Sequence, residues 1–270
     1  MERRLSLLKA SEFLNWPNIV QRKIHPIPEP VVWLDWKGAL LLAGQFGLRV
    51  EKPKSTNEYK LRRFERTLRA RGFYWLREPR WSQLRHDLFV TDIRFWVRES
   101  LKGITYLSFE EWINESAFRI QTDYIDYRVR SRDGEITTRR KGVIPDGFFS
   151  LVDERRKAKS EPFRARFLLE LDMSTHDNPS FGLDKAAPGA VYIKSPQYKE
   201  RFESNSGRWL VVTTGTVRMR NLLIQTRARA GTDAHMFYFT TMDQMPKNNF
   251  FLDPIWRQPN SEKYVALLPN

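Results

Sequence analysis

Apolar residues recur first at helical spacing and later, from about residue 123, at the spacing of strands. Leu5, Leu8, Phe13 and Leu14 predict an amphipathic helix over residues 2–15, with Arg3, Arg4 and Lys9 between them. Ile19-Val20-Gln21-Arg22-Lys23-Ile24 reads as a short strand. Pro26-Ile27-Pro28-Glu29-Pro30 reads as a turn and Val31-Val32-Trp33-Leu34 as the return strand. Asp35 is placed to cap a helix over Trp36–Gly44. Helix, basic hairpin and helix make up the back half of a winged-helix unit, and an ordinary αββα packing unit has the same pattern. The first two helices of a full winged helix have no room. Either the module is degenerate or the chain starts downstream of a longer form.

Residues 45–57 read as a linker. Ser55 and Glu58 have capping-box spacing and open a helix to about Arg71, closed by Gly72. Leu61, Phe64 and Leu68 share one face of it. A second helix is predicted over Leu84–Leu101, with Leu88, Ile93, Trp96 and Val97 inward and His86 near its start as a packing or capping residue. Leu107–Phe118 reads as a third amphipathic helix. Ser108 and Glu111 have capping-box spacing there, and Glu110, Glu111 and Glu115 crowd the helix.

Beyond residue 123, Tyr124, Tyr127 and Val129 lead to Asp133-Gly134, a hairpin-turn signal. The next strand starts near Ile136 and is broken by Arg139-Arg140-Lys141-Gly142. Pro145–Asp172 predicts a hairpin with a charged turn over Asp153–Pro162. Helices are expected within 180–193, broken at Pro188, and over Pro196–Phe202. Arg208–Thr214 reads as a buried strand, Met219–Ala230 as a helix and Met236–Thr240 as the last strand.

Composition narrows the function classes. The hydrophobic fraction of 41%, with 9 Trp and 18 Phe in 270 residues, is enough for a real core. The absence of cysteine excludes disulfides and thiolate metal sites, and allows a reducing compartment. No apolar run reaches the roughly 18–20 residues of a membrane span, so a soluble, cytoplasmic chain is expected. The net charge of +14 costs self-repulsion that a polyanion offsets, which points to nucleic acid ahead of an anionic membrane. Candidate phosphate contacts are Arg3, Arg4, Lys23, Lys60, Arg62, Arg63, Arg66, Arg69, Arg139, Arg140, Lys141, Arg218 and Arg220. No glycine-rich loop ends in Gly-Lys-Ser/Thr, so a Walker site is absent. His25, His86, His176 and His235 are too scattered for a tyrosine relaxase.

The predicted hairpin carries the candidate chemistry. Asp146 stands on one strand, and Glu170 and Asp172 stand on the other. With a period of two, Glu170 and Asp172 face one side and Leu169 and Leu171 the opposite side. Carboxylates among apolar strand residues repel each other and lose hydration. Mg²⁺ offsets both costs and can activate water beside a phosphate. Pairing with local arginines such as Arg139, Arg140 or Arg166 is the alternative.

Pro145-Asp146, a turn, then Glu170-x-Asp172, with Lys185 beyond and Glu115 upstream, resembles the PD-(D/E)XK nucleases. Leu84-x-His86-x-Leu88-x-Val90-x-Asp92, Trp112-x-x-Glu115, Pro145-Asp146-Gly147, Glu170-x-Asp172 and the unit Trp209–Leu223 more narrowly resemble the replication-relaxation family of plasmids and integrative elements. The resemblance implies an α/β (α+β) chain, in which a partial winged-helix DNA-binding unit (1–50) and a basic helical connector (51–103) precede a nuclease-like mixed sheet flanked by helices (104–270). By motif position it implies Asp146 and Glu170 as ligands of Mg²⁺, with Asp172 beside them and Glu115 as an accessory acid. The nuclease pattern has lysine two residues after the glutamate. Here Asp172 stands there, and Lys185 is the residue left to supply the ammonium. Two functions follow: a non-cutting DNA-binding protein that helps other replication or transfer proteins, or a Mg²⁺-dependent endonuclease or nickase using Asp146, Glu170 and Lys185.

Overall fold

The computed structural model describes residues 2–24, 31–71, 73–130, 135–174 and 177–268. The Pro26–Pro30 tip, Gly72, the Asp133-Gly134 turn, His25, His176 and the side chain of Arg3 lie outside the described residues. The chain divides into two compact units, Met1–Arg85 and His86–Asn270. Residues 51–85 fall in the first unit, and most of the helix starting at Leu84 falls in the second.

The first unit holds α1 (Glu2–Ala10), β1 (Leu14–Asn15), α2 (Ile19–Ile24), β2 (Trp33–Leu34), α3 (Trp36–Gln45) and α4 (Glu58–Ala70). Its core joins Ala39 and Ala43 of α3 to Phe64 and Leu68 of α4, and to Trp75. Asp35 caps α3 as expected, accepting from the Trp36 N–H at 2.7 Å. Gly38 is required because a Cβ there would lie 2.2 Å from the Phe13 carbonyl oxygen. Three expectations are corrected. Ile19–Ile24 is a helix, so the basic winged-helix hairpin is replaced by a two-residue ladder, Leu14↔Leu34 and Asn15↔Trp33. The first helix ends at Ala10 rather than near residue 15. Asn57, not Ser55, caps α4, accepting from the Lys60 N–H at 2.9 Å.

The second unit begins with α5 (Leu84–Leu101), β3 (Leu107–Asn114), α6 (Glu115–Ile120), β4 (Asp123–Arg130), β5 (Ile136–Val143), β6 (Gly147–Asp153), α7 (Glu154–Ala158) and β7 (Arg164–Asp172). Then come α8 (Asn178–Phe181), a π-helical turn (Gly182–Ala186), α9 (Ala187–Ile193), α10 (Pro196–Phe202), β8 (Arg208–Thr213), α11 (Thr216–Ala230), β9 (Phe237–Thr241), β10 (Trp256–Arg257) and β11 (Tyr264–Val265). Seven strands form one mixed sheet in the order β11-β10-β9-β8-β7-β6-β3, and β4 and β5 form a separate ribbon. β7, β8 and β9 run parallel, and β6 runs antiparallel to both of its neighbours. Near-continuous apolar runs such as Phe167-Leu168-Leu169 and Leu210-Val211-Val212 suit central strands covered on both faces. Phe148, Leu168, Trp209 and Val211 pack on one face with residues of β4, β5, α6 and α8 to α11. Phe149, Leu151, Leu169, Leu171 and Leu210 pack on the other with Ile93 and Val97 of α5 and the C-terminal segment around Phe250 and Trp256. The protein is thus a mixed α/β protein.

Here too the structure corrects several expectations. Leu107–Asn114 is a strand paired with β6, and a bulge between Phe109 and Glu111 leaves Glu110 unmatched. Glu110 and Glu111 both accept from the Ser150 hydroxyl instead of crowding a helix. β5 runs unbroken through Arg139-Arg140-Lys141 to Val143. Leu88 is 36% exposed, not inward. The segment around Pro188 is not broken: the Ala187 N–H donates to the Gly182 carbonyl, making a π turn just ahead of Pro188. Proline has no N–H to continue the α-helical ladder there, so the wider turn leaves one fewer bond to lose.

Candidate active site

Antiparallel pairing of β6 with β7 brings the start of one strand beside the end of the other, with Gly147 opposite Leu169. Asp146, Glu170 and Asp172 therefore gather at the same end of the sheet, at the carboxyl ends of the parallel strands. In open α/β sheets that is where ligands bind. Asp146 is fixed by backbone on both sides. Its N–H donates to the Leu169 carbonyl at 2.9 Å, and its Oδ2 accepts from the Leu171 N–H at 2.7 Å.

Lys185 reaches this end from the π turn. Its Nζ lies 2.7 Å from Glu170 Oε1 and donates to Oε2 at 2.9 Å. Burial pushes the Glu170 carboxyl up, the Lys185 ammonium pulls it back and the Asp146 charge raises it again, leaving it at about 7. Burial works against the charge on Lys185, but Glu170 and Asp146 outweigh it and raise its pKa. The two carboxylates are thus close enough to feel each other, and a single ammonium sets itself against both charges.

His86, at the start of α5, completes the cluster. Its Nε2 stands 3.2 Å from Asp146 Oδ2, and its Nδ1 stands 3.6 Å from Asp87 Oδ1. Burial alone would lower its pKa, but hydrogen bonds to Asp146 and Asp87 prevail and raise it to about 10. The expected packing or capping role is therefore replaced by a polar contact at the carboxylate. Nothing in its local sequence signals this contact, because Asp146 lies sixty positions away.

Asp172 shares a strand face with Glu170 but has other partners. Arg218 of α11 grips it with two hydrogen bonds, Nε to Oδ2 and Nη2 to Oδ1, both 2.8 Å, and the Thr213 hydroxyl donates to Oδ2 at 2.8 Å. A third nitrogen of Arg218 donates to Asn178 Oδ1 at 2.6 Å. Arg218, expected on phosphate, is instead a nearly buried counter-ion. The arginine pairing weighed for the acidic cluster occurs here, with an arginine from α11 rather than from β5 or β7. Glu115 accepts from Arg119 Nε at 2.9 Å, and Lys185 senses its charge.

Among the described residues, no group of three or more His, Cys, Asp or Glu side chains is arranged to hold a metal ion. Two carboxylates, Asp146 and Glu170, remain as oxygen donors. That number fits Mg²⁺, which is commonly held by one or two carboxylates together with water and substrate phosphate.

The other expected phosphate contacts are spread over both units. In the first unit Arg4, Lys23, Arg63 and Arg66 are exposed and Lys60 is half-buried, while Arg62 pairs with Glu58 and Arg69 with Glu65 along α4. In the second unit Arg139, Arg140 and Arg220 are exposed, and Lys141 pairs with Asp184 at 3.2 Å. No helix among the described residues is long and apolar enough to cross a membrane. The chain matches no protein-family model, no curated protein and no solved structure.

Proposed function

We propose that the chain is a DNA-processing protein of the replication-relaxation kind, whose larger unit hydrolyses DNA phosphodiester bonds with Asp146, Glu170 and Lys185. The observation that carries this reading is the 2.7 Å approach of Lys185 Nζ to Glu170. The lysine missing from the strand is supplied by the π turn, so the nuclease set of two acids and one ammonium converges from three separate segments. The mixed sheet with packing on both faces agrees with a nuclease-like domain.

Asp146 and Glu170 would hold Mg²⁺. When bound, that ion activates water and neutralises charge on a phosphate. The Leu171 N–H and His86 hold the Asp146 carboxylate in place. Lys185 opposes the protonation that burial favours at Glu170 and places positive charge where a pentavalent phosphorus centre gains negative charge. Burial of Glu170 strengthens each of these interactions. The +14 net charge supplies the attraction to the polymer.

A non-cutting DNA-binding role for the same site is the second reading. It is favoured by the pairing of every acid in the cluster: Asp146 with His86, Glu170 with Lys185 and Asp172 with Arg218. Incubation of supercoiled plasmid with the protein in Mg²⁺ or EDTA separates the two. Mg²⁺-dependent nicking that disappears in Asp146→Asn supports hydrolysis. Retarded but intact plasmid supports the binding role.

A further inference from the structure

The β4–β5 ribbon stands outside the seven-stranded sheet, with all eight residues of each strand paired, from Asp123↔Val143 to Arg130↔Ile136. Its underside is apolar and anchored. Ile125, Tyr127 and Val129 are buried in the same core as Tyr192 and Tyr198. At its base Asp123 accepts from Arg201 Nε at 2.6 Å and from the Tyr192 hydroxyl at 2.5 Å. On the other strand, Lys141 Nζ donates to Asp184 Oδ1 at 3.2 Å. Asp184 precedes Lys185 in the π turn, so the ribbon is fastened one residue from the ammonium that holds Glu170.

The upper side is cationic. Directly opposed residues share a face, which places Arg128 beside Thr138 and Asp126 beside Arg140 on the outside. Arg128 and Arg140 are exposed on this side, whereas Arg139 stands opposite the buried Tyr127 on the other. Among the described residues, neither Arg128 nor Arg140 is within ion-pair distance of a carboxylate, in contrast to Arg62 and Arg69 of α4. Gly142 makes part of this surface possible. A Cβ at that position would lie 3.3 Å from the Tyr124 ring, so glycine lets the ring lie across the strand. Tyr124 remains 52% exposed, and the Arg140 guanidinium sits 5.4 Å from its ring centroid. A rigid strip carrying two exposed guanidinium groups and an exposed tyrosine has the residue types that contact phosphate and sugar.

We infer that the outer face of the β4–β5 ribbon, through Arg128 and Arg140, is a duplex-DNA contact surface that lays the phosphate backbone beside the Asp146–Glu170 end of the sheet. This rests on the reading of the chain as a DNA-processing protein and adds where on the larger unit the substrate lies. Charge complementarity selects the occupant, because guanidinium groups without acidic partners gain most from a polyanion through counterion release.

The test is binding of the full chain to a labelled duplex in EDTA, as a function of salt. Substituting Arg128 and Arg140 together by serine is expected to weaken binding about tenfold. It should also flatten the log–log salt dependence by about one unit per lost phosphate contact. The corresponding double lysine variant keeps the charge and should stay close to wild type. A wild-type salt slope in the serine variant would overturn the inference. So would an equal loss in the lysine variant, or tighter binding to single-stranded RNA in competition. A wild type that binds through this face but never cuts in Mg²⁺ would leave the inference standing and overturn the nuclease reading alone.

Discussion

Lys185 and Glu170, fifteen positions apart, meet at 2.7 Å because a π turn carries the lysine onto the end of β7. Glu170 is buried but the Lys185 side chain is 37% exposed, so removing the lysine strands one buried carboxyl that solvent partly screens, at a cost of about 1–3 kcal/mol. Lys185→Met is therefore expected to lower the unfolding free energy in urea by about 1–3 kcal/mol and to abolish cleavage while plasmid binding persists. Lys185→Met combined with Glu170→Gln should recover most of the stability and none of the cleavage. A single variant as stable and as active as wild type would contradict this role.

The raised pKa of Glu170 gives stability a definite pH dependence. Between its ordinary value of 4.5 and about 7 the folded state holds a proton that the unfolded state has released. Stability contributed by this group therefore falls as pH rises through that window. Thermal melts should show Glu170→Gln gaining on wild type from pH 4.5 to pH 7 and holding its gain above. Mg²⁺ bound by Asp146 and Glu170 favours the ionised form, so its stabilising effect on the wild type should be larger at pH 8 than at pH 5. Equal shifts at the two pH values would contradict that placement of the ion.

His86 titrates in the opposite sense. Its folded pKa of about 10 lies above the ordinary 6.5, so protonated His86 stabilises the fold fully below 6.5, and this is lost as pH rises towards 10. The difference in melting temperature between wild type and His86→Gln should be constant in mild acid and shrink between pH 6.5 and 10. A difference independent of pH would mean that packing, not the contact with Asp146, is what the side chain supplies.

Asp172 is expected to be a structural residue. Asp172→Ala would strand the nearly buried Arg218 and should cost about 3–5 kcal/mol, read by chemical denaturation. Below its lowered melting temperature the variant should still respond to Mg²⁺. Loss of that response in a folded Asp172→Ala would restore Asp172 as a ligand.

Some of this was legible in the sequence because the local signals agree. α5 and α10 fall on the predicted bounds, Leu84–Leu101 and Pro196–Phe202, where amphipathic spacing and a proline start leave little choice. The β6–β7 hairpin and the shared face of Glu170 and Asp172 follow from the two-residue period. β3 was illegible because its bulge shifts the alternation at Glu110, so that Leu107, Ser108 and Glu111 imitate a capped helix. α2 has no buried residue, and with Ile19, Val20 and Ile24 exposed no core face marks its period. At the site, the approach of Lys185 depends on a π turn, and the partners of Asp146 and Asp172 come from α5 and α11. Side-chain pairs of that kind depend on tertiary packing and leave no local spacing signal.

The most direct measurement follows the topology of supercoiled plasmid over time in Mg²⁺ with wild type, Glu170→Gln and Lys185→Met, each first shown to be folded and to retard the plasmid. Nicked or linear product from wild type alone, none from either variant and none in EDTA is the predicted result. Plasmid bound by all three proteins yet left supercoiled throughout, or cut equally by all three, would contradict a hydrolytic site built from Asp146, Glu170 and Lys185.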